Sequence, residues 1–267
     1  MTDVFRKARS DAPDGFFAAE AAGLRWLSVP GGPRVAHVVD VGPDYLDLER
    51  IPGAWPTLAA AQALGRGLAV LHDAGAPAFG VLPPDDEAAA PRRTAFFGPL
   101  ADPLEMMGGS WDDWPTFYAE ARLRVVLRQG LERGTFTAHD AALVERVCKR
   151  LPDLAGPSVD DVPARVHGDL WSGNVLWGPG PHDGVEAILI DPAAHGGHRE
   201  ADLAMLALFG APYLDETLAA YEEVHPLTPG WRERVTLHQL YPIAVHAVLF
   251  GRGYVIRTQS ILDELAG

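Results

Sequence analysis

The chain has 267 residues, enough to bury one large core or two smaller lobes. Hydrophobic residues make up 48% of it and charged residues 22%, which is typical of a globular protein. The 22 basic residues against 36 acidic ones give a net charge of -14, which argues against a nucleic acid as partner. A single triphosphate is compatible with this charge, because it needs only a few local cations and backbone N–H groups.

The cysteine content and the hydropathy pattern bear on the cellular compartment. Cys148 has no second cysteine with which to form a disulfide, and a buried thiol in a helix is its simplest interpretation. No apolar run approaches the roughly 20 residues of a membrane-spanning helix, and the first residues lack the apolar core of a signal peptide. We therefore expect a cytoplasmic protein without a membrane partner, as a monomer or a weak homodimer.

The first fifty residues mix short strands with one helix. A strand is predicted over Val4–Ala8 and a helix over Phe16–Leu27, whose apolar side chains recur on neighbouring faces. The segments 34–39 and 45–50 are further strand candidates, the second because leucines alternate with acidic residues. A Pro-Gly pair ends this section, so we predict a small N-terminal lobe over residues 1–52.

Residues 53–267 are predicted to form a larger, mostly helical lobe. Apolar residues at three- and four-residue steps indicate three successive helices, the third with Thr137 as its candidate N-cap. The segment 77–115 is rich in Pro, Gly and Asp and is predicted as loops. Two short strands, "NVLW" and "VEAILI", flank the turn "GPGPHDG", and the C-terminal third is helical again.

The polar residues around an H-G-D triplet are spaced as a phosphoryl-transfer site requires. His167-x-Asp169-x-x-x-x-Asn174 is followed, after the predicted hairpin, by Asp191 at the end of a strand. In phosphoryl transfer to a hydroxyl, one carboxylate accepts the substrate proton, and an Asn and a second Asp hold the metal ions that bridge the phosphates. The hairpin can fold Asp191 back beside Asn174, so the pattern predicts a phosphotransferase that uses ATP and Mg²⁺.

Each part of this pattern also has a purely structural interpretation. An H-G-D triplet alone fits a tight turn with a capping Asp, and an Asp before Pro is an ordinary end of a strand. The combination of the triplet, Asn174, two strands and the terminal Asp191 is what favours the kinase interpretation.

Two longer blocks carry a family resemblance. "HGDLWSGNVLW" and "IDPAAHGGHREADLAMLALFG" resemble the signature of the fructosamine kinase (ketosamine kinase) family, and "FFAAEAAGLRWL", "YLDLERI" and "FYAEARL" resemble further parts of it. Aminoglycoside phosphotransferases and choline kinases share only the H-G-D…N…D core. The resemblance implies an α+β, bilobal protein-kinase-like fold. It also implies an ATP-dependent kinase that phosphorylates a sugar hydroxyl of a ketosamine (a fructosamine or ribulosamine), with a role in deglycation.

The same resemblance implies roles for the residues of the H-G-D segment. Asp169 resembles the catalytic base, and His167 resembles the residue that braces the catalytic loop. Asn174 and Asp191 resemble the ligands of the metal ion, which is Mg²⁺ in this interpretation.

The nucleotide side of the predicted cleft lies in the small lobe. Lys7 resembles the strand lysine that touches the ATP phosphates, and Glu20 resembles its helix partner. The alternative for Lys7 is a solvated lysine, because the alternation of the strand decides whether Lys7 or Arg6 faces inward. Backbone groups from Glu49 to Ile51 resemble the hinge that meets the adenine edge.

The acceptor side is predicted around Trp171 and the run that follows Asp191. Trp171 is interpreted either as a flat face for a sugar-like acceptor or as a brace against the core. His198, Glu200 and Asp202 are candidate substrate residues, because this stretch shapes the acceptor side in the resembled family; the two carboxylates are also candidates for fixing the loop. Zinc is not favoured here, since no helix aligns the histidines and no cysteine assists.

The sequence departs from the kinase pattern before Lys7. Kinases of this fold place a Gly-rich strand-turn-strand over the phosphates, whereas only six residues precede Lys7 and the first glycine is Gly15. We expect either a start further upstream or a truncated lobe that holds the nucleotide mostly from below. Two other functions stay open, a kinase for another aminosugar or amino-alcohol and a non-catalytic nucleotide-binding protein.

Overall fold

A computed structural model describes residues 3–84, 94–181 and 184–267, and the N-terminal part is built on a small antiparallel sheet. Its elements are β1 (Val4–Ala8), α1 (Phe16–Leu27), β2 (Arg34–Val35), β3 (Val38–Val41) and β4 (Tyr45–Glu49). The sheet has the order β1-β4-β3, with both pairings antiparallel. Helix α1 is held against it by a hydrophobic cluster in which Phe17 and Leu24 join Leu46 and Leu48.

The rest of the chain is mostly helical, with short strands around the predicted catalytic segment. The helices are α2 (Leu58–Asp73), α3 (Trp114–Phe117), α4 (Arg124–Glu132), α5 (Ala138–Ala155), α6 (Arg199–Leu208), α7 (Leu214–Val224), α8 (Trp231–Phe250) and α9 (Arg252–Ala266). The strands are β5 (Thr94–Phe97), β6 (Leu104–Met107), β7 (Ala164–Val166), β8 (Val175–Pro179), β9 (Val185–Leu189) and β10 (His195–Gly197). Among the described residues, no helix combines the length and the apolar character needed to span a membrane.

Helices α3 and α4 form one continuous rod, because a π-helical turn, Tyr118–Leu123, connects them. The following helix, α5, begins as predicted. Thr137 accepts a hydrogen bond from the Asp140 N–H, and the Asp140 carboxylate accepts one from the Thr137 N–H at 2.8 Å. This reciprocal capping box satisfies backbone donors that would otherwise lack a partner at the helix start.

Strand β1 and helix α1 have the predicted bounds, whereas the predicted strand 34–39 is divided in two. Strand β2 pairs in parallel with β9, and β3 pairs with β4. The chain changes sheet near Ala36, whose N–H donates to the Leu189 carbonyl at 3.0 Å. An apolar pattern reports burial but not the identity of the partner strand, so the sequence shows no break at this point.

The segment 77–115 is not all loop, which corrects the prediction from the sequence. Strands β5 and β6 form an antiparallel hairpin, in which Ala95 and Phe97 are buried together with Leu104 and Met106. Each strand has only four residues, and Gly and Pro residues surround them. Their alternation of buried and exposed side chains is too short to be distinguished from a loop in the sequence. Residues 85–93 of that segment lie outside the described residues.

The predicted lobe boundary at residue 52 has one exception in the sheet pairing. Strand β2 precedes that boundary, yet it belongs to the three-stranded sheet β2-β9-β8 of the larger part. The division into residues 1–52 and 53–267 stays a prediction.

Candidate active site

The segment predicted to carry the chemistry is a tight turn between β7 and β8. Gly168 stands in this turn with φ +83°, and a Cβ here would lie 2.2 Å from the Ala193 carbonyl oxygen, so glycine is required. The 3₁₀ turn Ser172–Asn174 then leads into β8, and the hairpin β8–β9 returns the chain to Asp191. Asn174 Nδ2 lies 3.4 Å from the Asp191 carbonyl oxygen, so the hairpin brings the two residues together as the spacing predicts.

Two buried residues, Asp202 and His167, hold the turn in place. The Asp202 carboxylate accepts hydrogen bonds from the N–H groups of His167 at 2.7 Å and Gly168 at 2.9 Å. It also accepts one from His72 Nε2 at 3.2 Å. His167 Nε2 donates to the Ile190 carbonyl at 2.9 Å and thereby ties the turn to the strand end that carries Asp191. This geometry is the one expected of a residue that braces the catalytic loop.

Asp169 is half-buried and lines the main cleft. Its Oδ2 accepts a hydrogen bond from Asn174 Nδ2 at 3.1 Å. Burial raises the pKa of Asp169 to about 7; the Asn174 hydrogen bond opposes this rise, and the charges of Asp191 and Asp202 add to it. A carboxylate with a pKa near neutrality is suited to accept a proton from a hydroxyl.

Asn174 and Asp191 present oxygen ligands next to this base. Asn174 Nδ2 donates to the Asp169 carbonyl at 2.8 Å as well as to the carboxylate, so the amide oxygen is left for another partner. Asp191 has φ 54°, a conformation uncommon for a residue other than glycine, and its side chain is 43% exposed. A carboxylate and an amide oxygen fit Mg²⁺, which prefers oxygen ligands and retains several waters.

Strand alternation turns Lys7 inward and Arg6 outward. Lys7 Nζ lies 2.9 Å from both carboxylate oxygens of Glu20 and 3.1 Å from Asp191 Oδ1. Arg6 instead pairs with Asp47 at 2.6 Å on the exposed side of β1. Burial lowers the pKa of Lys7, but the charges of Glu20 and Asp191 outweigh this effect, so the pKa is raised. Lys7 is therefore a positioned cation at the cleft and not a solvated lysine.

One cleft collects these side chains. A cavity of about 400 Å³ is lined by Lys7 and Glu20 from the N-terminal part and by Asp169, Asn174 and Asp191 from the larger part. That volume lies in the range of small-molecule sites. The residues that the sequence assigned to phosphate, metal and base therefore face one shared space.

Aromatic side chains form another wall of the same cleft. Trp171 is 38% exposed, and its ring meets that of Phe209 edge-on at 5.8 Å. His246 and Phe250 continue this wall from helix α8, with the His246 ring 5.3 Å from that of Phe209. The hairpin β5–β6 adds Phe96 and the residues that follow it. This contribution is not predicted from the sequence, in which the hairpin resembles a loop.

Glu49 and Ile51, predicted at the adenine hinge, are not among the residues that line this cavity. The Glu49 N–H donates to the His37 carbonyl at 3.0 Å, and its carboxylate pairs with Arg34 at 2.5 Å. The Ile51 side chain lies against Gly178 of β8. The backbone N–H of Glu49 is therefore already used, and the hinge role of this segment stays a prediction.

His198, Glu200 and Asp202 lie behind the catalytic turn and not on the cleft. They are only 1%, 2% and 1% exposed. His198 caps helix α6 by accepting from the Glu200 N–H at 3.2 Å, and its Nε2 donates to the Ser158 carbonyl at 3.3 Å. Buried side chains that are bonded to the protein do not reach an acceptor. Their assignment to the substrate is therefore corrected: Asp202 fixes the turn, His198 caps α6, and the Glu200 carboxylate pairs with Arg234.

Ligand atoms of His198, Glu200 and His238 do come within 4.8 Å of one another. However, both carboxylate oxygens of Glu200 accept hydrogen bonds from Arg234, at 2.5 and 2.8 Å. The guanidinium already neutralises this carboxylate and would repel a metal cation.

Comparison with known proteins agrees with this geometry. The profile of the fructosamine kinase family matches residues 1–266. A "Probable ketoamine kinase" of Klebsiella aerogenes is 34% identical over 93% of this chain and 80% of its own length. The chloroplastic protein-ribulosamine 3-kinase of Arabidopsis thaliana is 30% identical over 97% of this chain and 75% of its own length.

Solved structures lead to the same result. A "putative fructosamine-3-kinase" of Thermobifida fusca is 46% identical and superimposes with a TM-score of 0.85, covering 99% of this chain and 85% of that one. A choline kinase of Streptococcus pneumoniae, 13% identical, superimposes with a TM-score of 0.58 over 98% of this chain and 85% of its own, which shows the fold alone. The predicted bilobal, protein-kinase-like fold and the predicted phosphotransferase class are confirmed, and the chain belongs to the fructosamine kinase family.

Proposed function

We propose that the chain is an ATP- and Mg²⁺-dependent kinase that phosphorylates a sugar hydroxyl of a ketosamine, with a role in deglycation. The observation that carries this proposal is the cleft, in which Lys7 and Glu20 face Asp169, Asn174 and Asp191 around about 400 Å³. A positioned cation, a base and a pair of oxygen ligands around one space are the groups that phosphoryl transfer to a hydroxyl requires.

Asp169 is the base of the proposed reaction. The acceptor hydroxyl oxygen bonds to the γ-phosphorus of ATP while the bond from that phosphorus to the bridging oxygen breaks, which gives ADP and a sugar phosphate. The hydroxyl proton passes to the Asp169 carboxylate and from there to solvent. The pKa of about 7 that burial gives Asp169 means that a substantial fraction of this carboxylate is ionised at neutral pH.

Asn174 and Asp191 are the residues that would hold Mg²⁺. Once bound, the ion supplies positive charge that offsets the charge of the phosphates. Asp191 also pairs with Lys7 at 3.1 Å, so the lysine ammonium and the proposed metal ligand are adjacent. Glu20, only 8% exposed, keeps Lys7 directed at this point through two contacts of 2.9 Å.

The acceptor is proposed to lie against the aromatic wall. Trp171 stands two residues from Asp169 and exposes 38% of its surface, which offers a flat apolar face to a sugar or its aglycone. The net charge of -14 favours the approach of a cationic amine. The relative from Arabidopsis thaliana is named for a ribulosamine, which belongs to the same substrate class. The cytoplasmic location and the monomeric or weakly dimeric state stay predictions from the sequence.

Coupled measurement of ADP release tests the proposal directly. Purified protein with MgATP and a ribulosamine or fructosamine of lysine is expected to release ADP and to give a product with one added phosphate by mass spectrometry. The matched controls are lysine without the sugar and the sugar without the amine, which are expected to give only background turnover.

The acceptor panel also contains an aminoglycoside and choline. Turnover of one of these without turnover of a ketosamine would retain the kinase and replace the acceptor. Thermal stabilisation by ATP without turnover on any acceptor would instead favour a non-catalytic nucleotide-binding protein.

A further inference from the structure

A buried arginine in the π-helical turn has no counterion in the described part of the chain. Arg122 is 1% exposed, and its Nη1 donates to the carbonyl oxygens of Met107 at 3.0 Å and Ala121 at 2.9 Å. Its Nη2 has no hydrogen-bond partner among residues 3–84, 94–181 and 184–267. Single π-turns inside helices are frequent at functional sites, and this turn places the guanidinium inside the large lobe.

Aromatic rings, and not a carboxylate, surround this charge. The guanidinium carbon lies 4.6 Å from the centre of the Phe117 ring and 5.7 Å from that of Tyr241. In the described part of the chain, no carboxylate forms an ion pair with Arg122. Burial lowers the pKa of Arg122 to about 10, which still leaves it charged at neutral pH. A buried and uncompensated charge is costly, so a partner for Nη2 is expected.

Arg122 lines a second, smaller cavity of about 40 Å³. His195, His198 and His238 share this lining, together with Gly168 of the catalytic turn. At roughly 10–15 Å³ for each water, the space holds about three waters or one small ion. A nucleotide or a sugar does not fit.

His238 contributes a second unsatisfied group to the same cavity. Neither of its ring nitrogens has a hydrogen-bond partner among the described residues, although Nε2 lies 3.3 Å from Glu200 without the alignment of a hydrogen bond. A neutral histidine ring carries one N–H, and the carboxylate of Glu200 is the acceptor beside Nε2, so Nδ1 is the ring atom left without a partner. The unpaired Nη2 of Arg122 and the His238 ring thus line one small cavity.

We propose that this cavity is a binding site for a small monovalent anion of the size of chloride, held by Arg122 Nη2. The charge of Arg122 favours an anion over water, and the volume excludes phosphate esters. Asp202 also lines the cavity, but its oxygens accept from the His167 and Gly168 N–H groups and from His72, so hydrogen bonds to the turn stabilise its negative charge.

The site is adjacent to the catalytic turn, because Val166 and Gly168 line the same cavity. An anion that binds there favours the folded arrangement of the turn by mass action. Chloride is therefore expected to raise the melting temperature at constant ionic strength. This inference does not depend on which acceptor the enzyme phosphorylates.

Bromide in crystals of the unaltered protein tests the site directly. An anomalous bromide peak at hydrogen-bond distance from Arg122 Nη2 is expected, and a cavity that holds only water would overturn the proposal. This measurement needs no variant, so it stands even if substitutions at Arg122 impair folding.

Melting temperatures in solution provide the second measurement. Sodium chloride and sodium bromide are expected to raise the melting temperature above that in sodium gluconate of equal ionic strength. Arg122→Met should remove this difference, whereas Arg124→Met, on the same rod but exposed and paired with Glu145, should retain it. An equal halide effect in Arg122→Met would assign the effect to other sites and contradict the proposal.

Discussion

The carboxylates of Asp169 and Asp202 lie on opposite sides of one turn, and their pKa values are shifted in opposite directions. Asp169 faces the cleft, receives a side-chain hydrogen bond from Asn174, and burial raises its pKa to about 7. Asp202 is more deeply buried, and burial alone would raise its pKa, yet the hydrogen bond and charge of His72 and the bond from the Gly168 N–H outweigh this and lower the pKa. The number of N–H donors, and not the depth of burial, separates a carboxylate that can exchange a proton from one that fixes the backbone.

The largest effect is expected when the charge of Asp169 is removed. Asp169→Asn is expected to lower kcat by about 10³-fold, because the acceptor hydroxyl loses its base. The melting temperature should not fall, since an ionised Asp169 is disfavoured in the fold. Asp153→Asn, an exposed change on α5, serves as the control and should leave both quantities unchanged. A fully active Asp169→Asn enzyme in the ADP-release assay would contradict the assigned base.

The corresponding substitution of Asp202, on the other side of the turn, is expected to lower the stability of the fold. Asp202→Asn places an amide where three N–H groups donate, so at least one of them loses its acceptor. We expect the free energy of unfolding to fall by about 3 kcal/mol, as measured by urea denaturation. Stability equal to that of the unaltered protein would show that Asp202 does not hold the turn.

The pH dependence of activity and of stability should also distinguish Asp169 from Asp202. Asp169 must lose its proton to act as a base, so kcat/KM should fall about tenfold for each pH unit below about 7. Its raised pKa means that the folded state binds the proton more tightly than the unfolded one, so this group adds stability as pH falls from 7 towards about 4. The lowered pKa of Asp202 has the opposite sign, and its stabilisation is lost only as pH falls below about 4.

Urea denaturation at several pH values, on the unaltered protein and on Asp169→Asn, isolates the contribution of Asp169. The gain in stability between pH 7 and pH 5 should be smaller in the variant. An identical pH dependence in the two proteins would mean that the pKa of Asp169 is not raised.

A smaller effect is expected for nucleotide binding. Lys7→Met should weaken the affinity for a non-hydrolysable ATP analogue about tenfold, because a charged hydrogen bond to a phosphate is lost. Arg6→Met is the matched control from the same strand, since Arg6 faces outward and pairs with Asp47. We expect a change of about twofold or less for that control, in isothermal titration calorimetry. Equal losses in the two variants would point to general disturbance of β1 and not to a phosphate contact.

Much of the cleft could be predicted from the sequence, because its residues are close in sequence or fixed by a hairpin. The spacing from Asp169 to Asn174 and the return to Asp191 are local, and strand alternation left only two choices for the inward cation. The turn-fixing role of Asp202 was one of two interpretations, and only the hydrogen bonds to the turn decide between them.

The remaining features depend on contacts between distant segments. The hairpin β5–β6 joins the cleft wall through an alternation too short to be distinguished from a loop. Arg122 Nη2 has no hydrogen-bond partner among the described residues because of the packing around it, and a helical pattern in the sequence contains no sign of this. The hinge predicted from Glu49 to Ile51 would use backbone groups, which leave no side-chain pattern, so it stays a prediction.

The parallel pairing of β2 with β9 restrains how the cleft can open. Val35 pairs with Leu189, and the Ala36 N–H donates to the same residue, two positions before Asp191. Strand β2 therefore stays with the sheet of the larger part, and the chain passes to the N-terminal sheet through residues 36 and 37. Any movement of β1 and Lys7 relative to Asp191 is then expected to bend the chain at these two residues, beside the strand that leads to the proposed metal ligand.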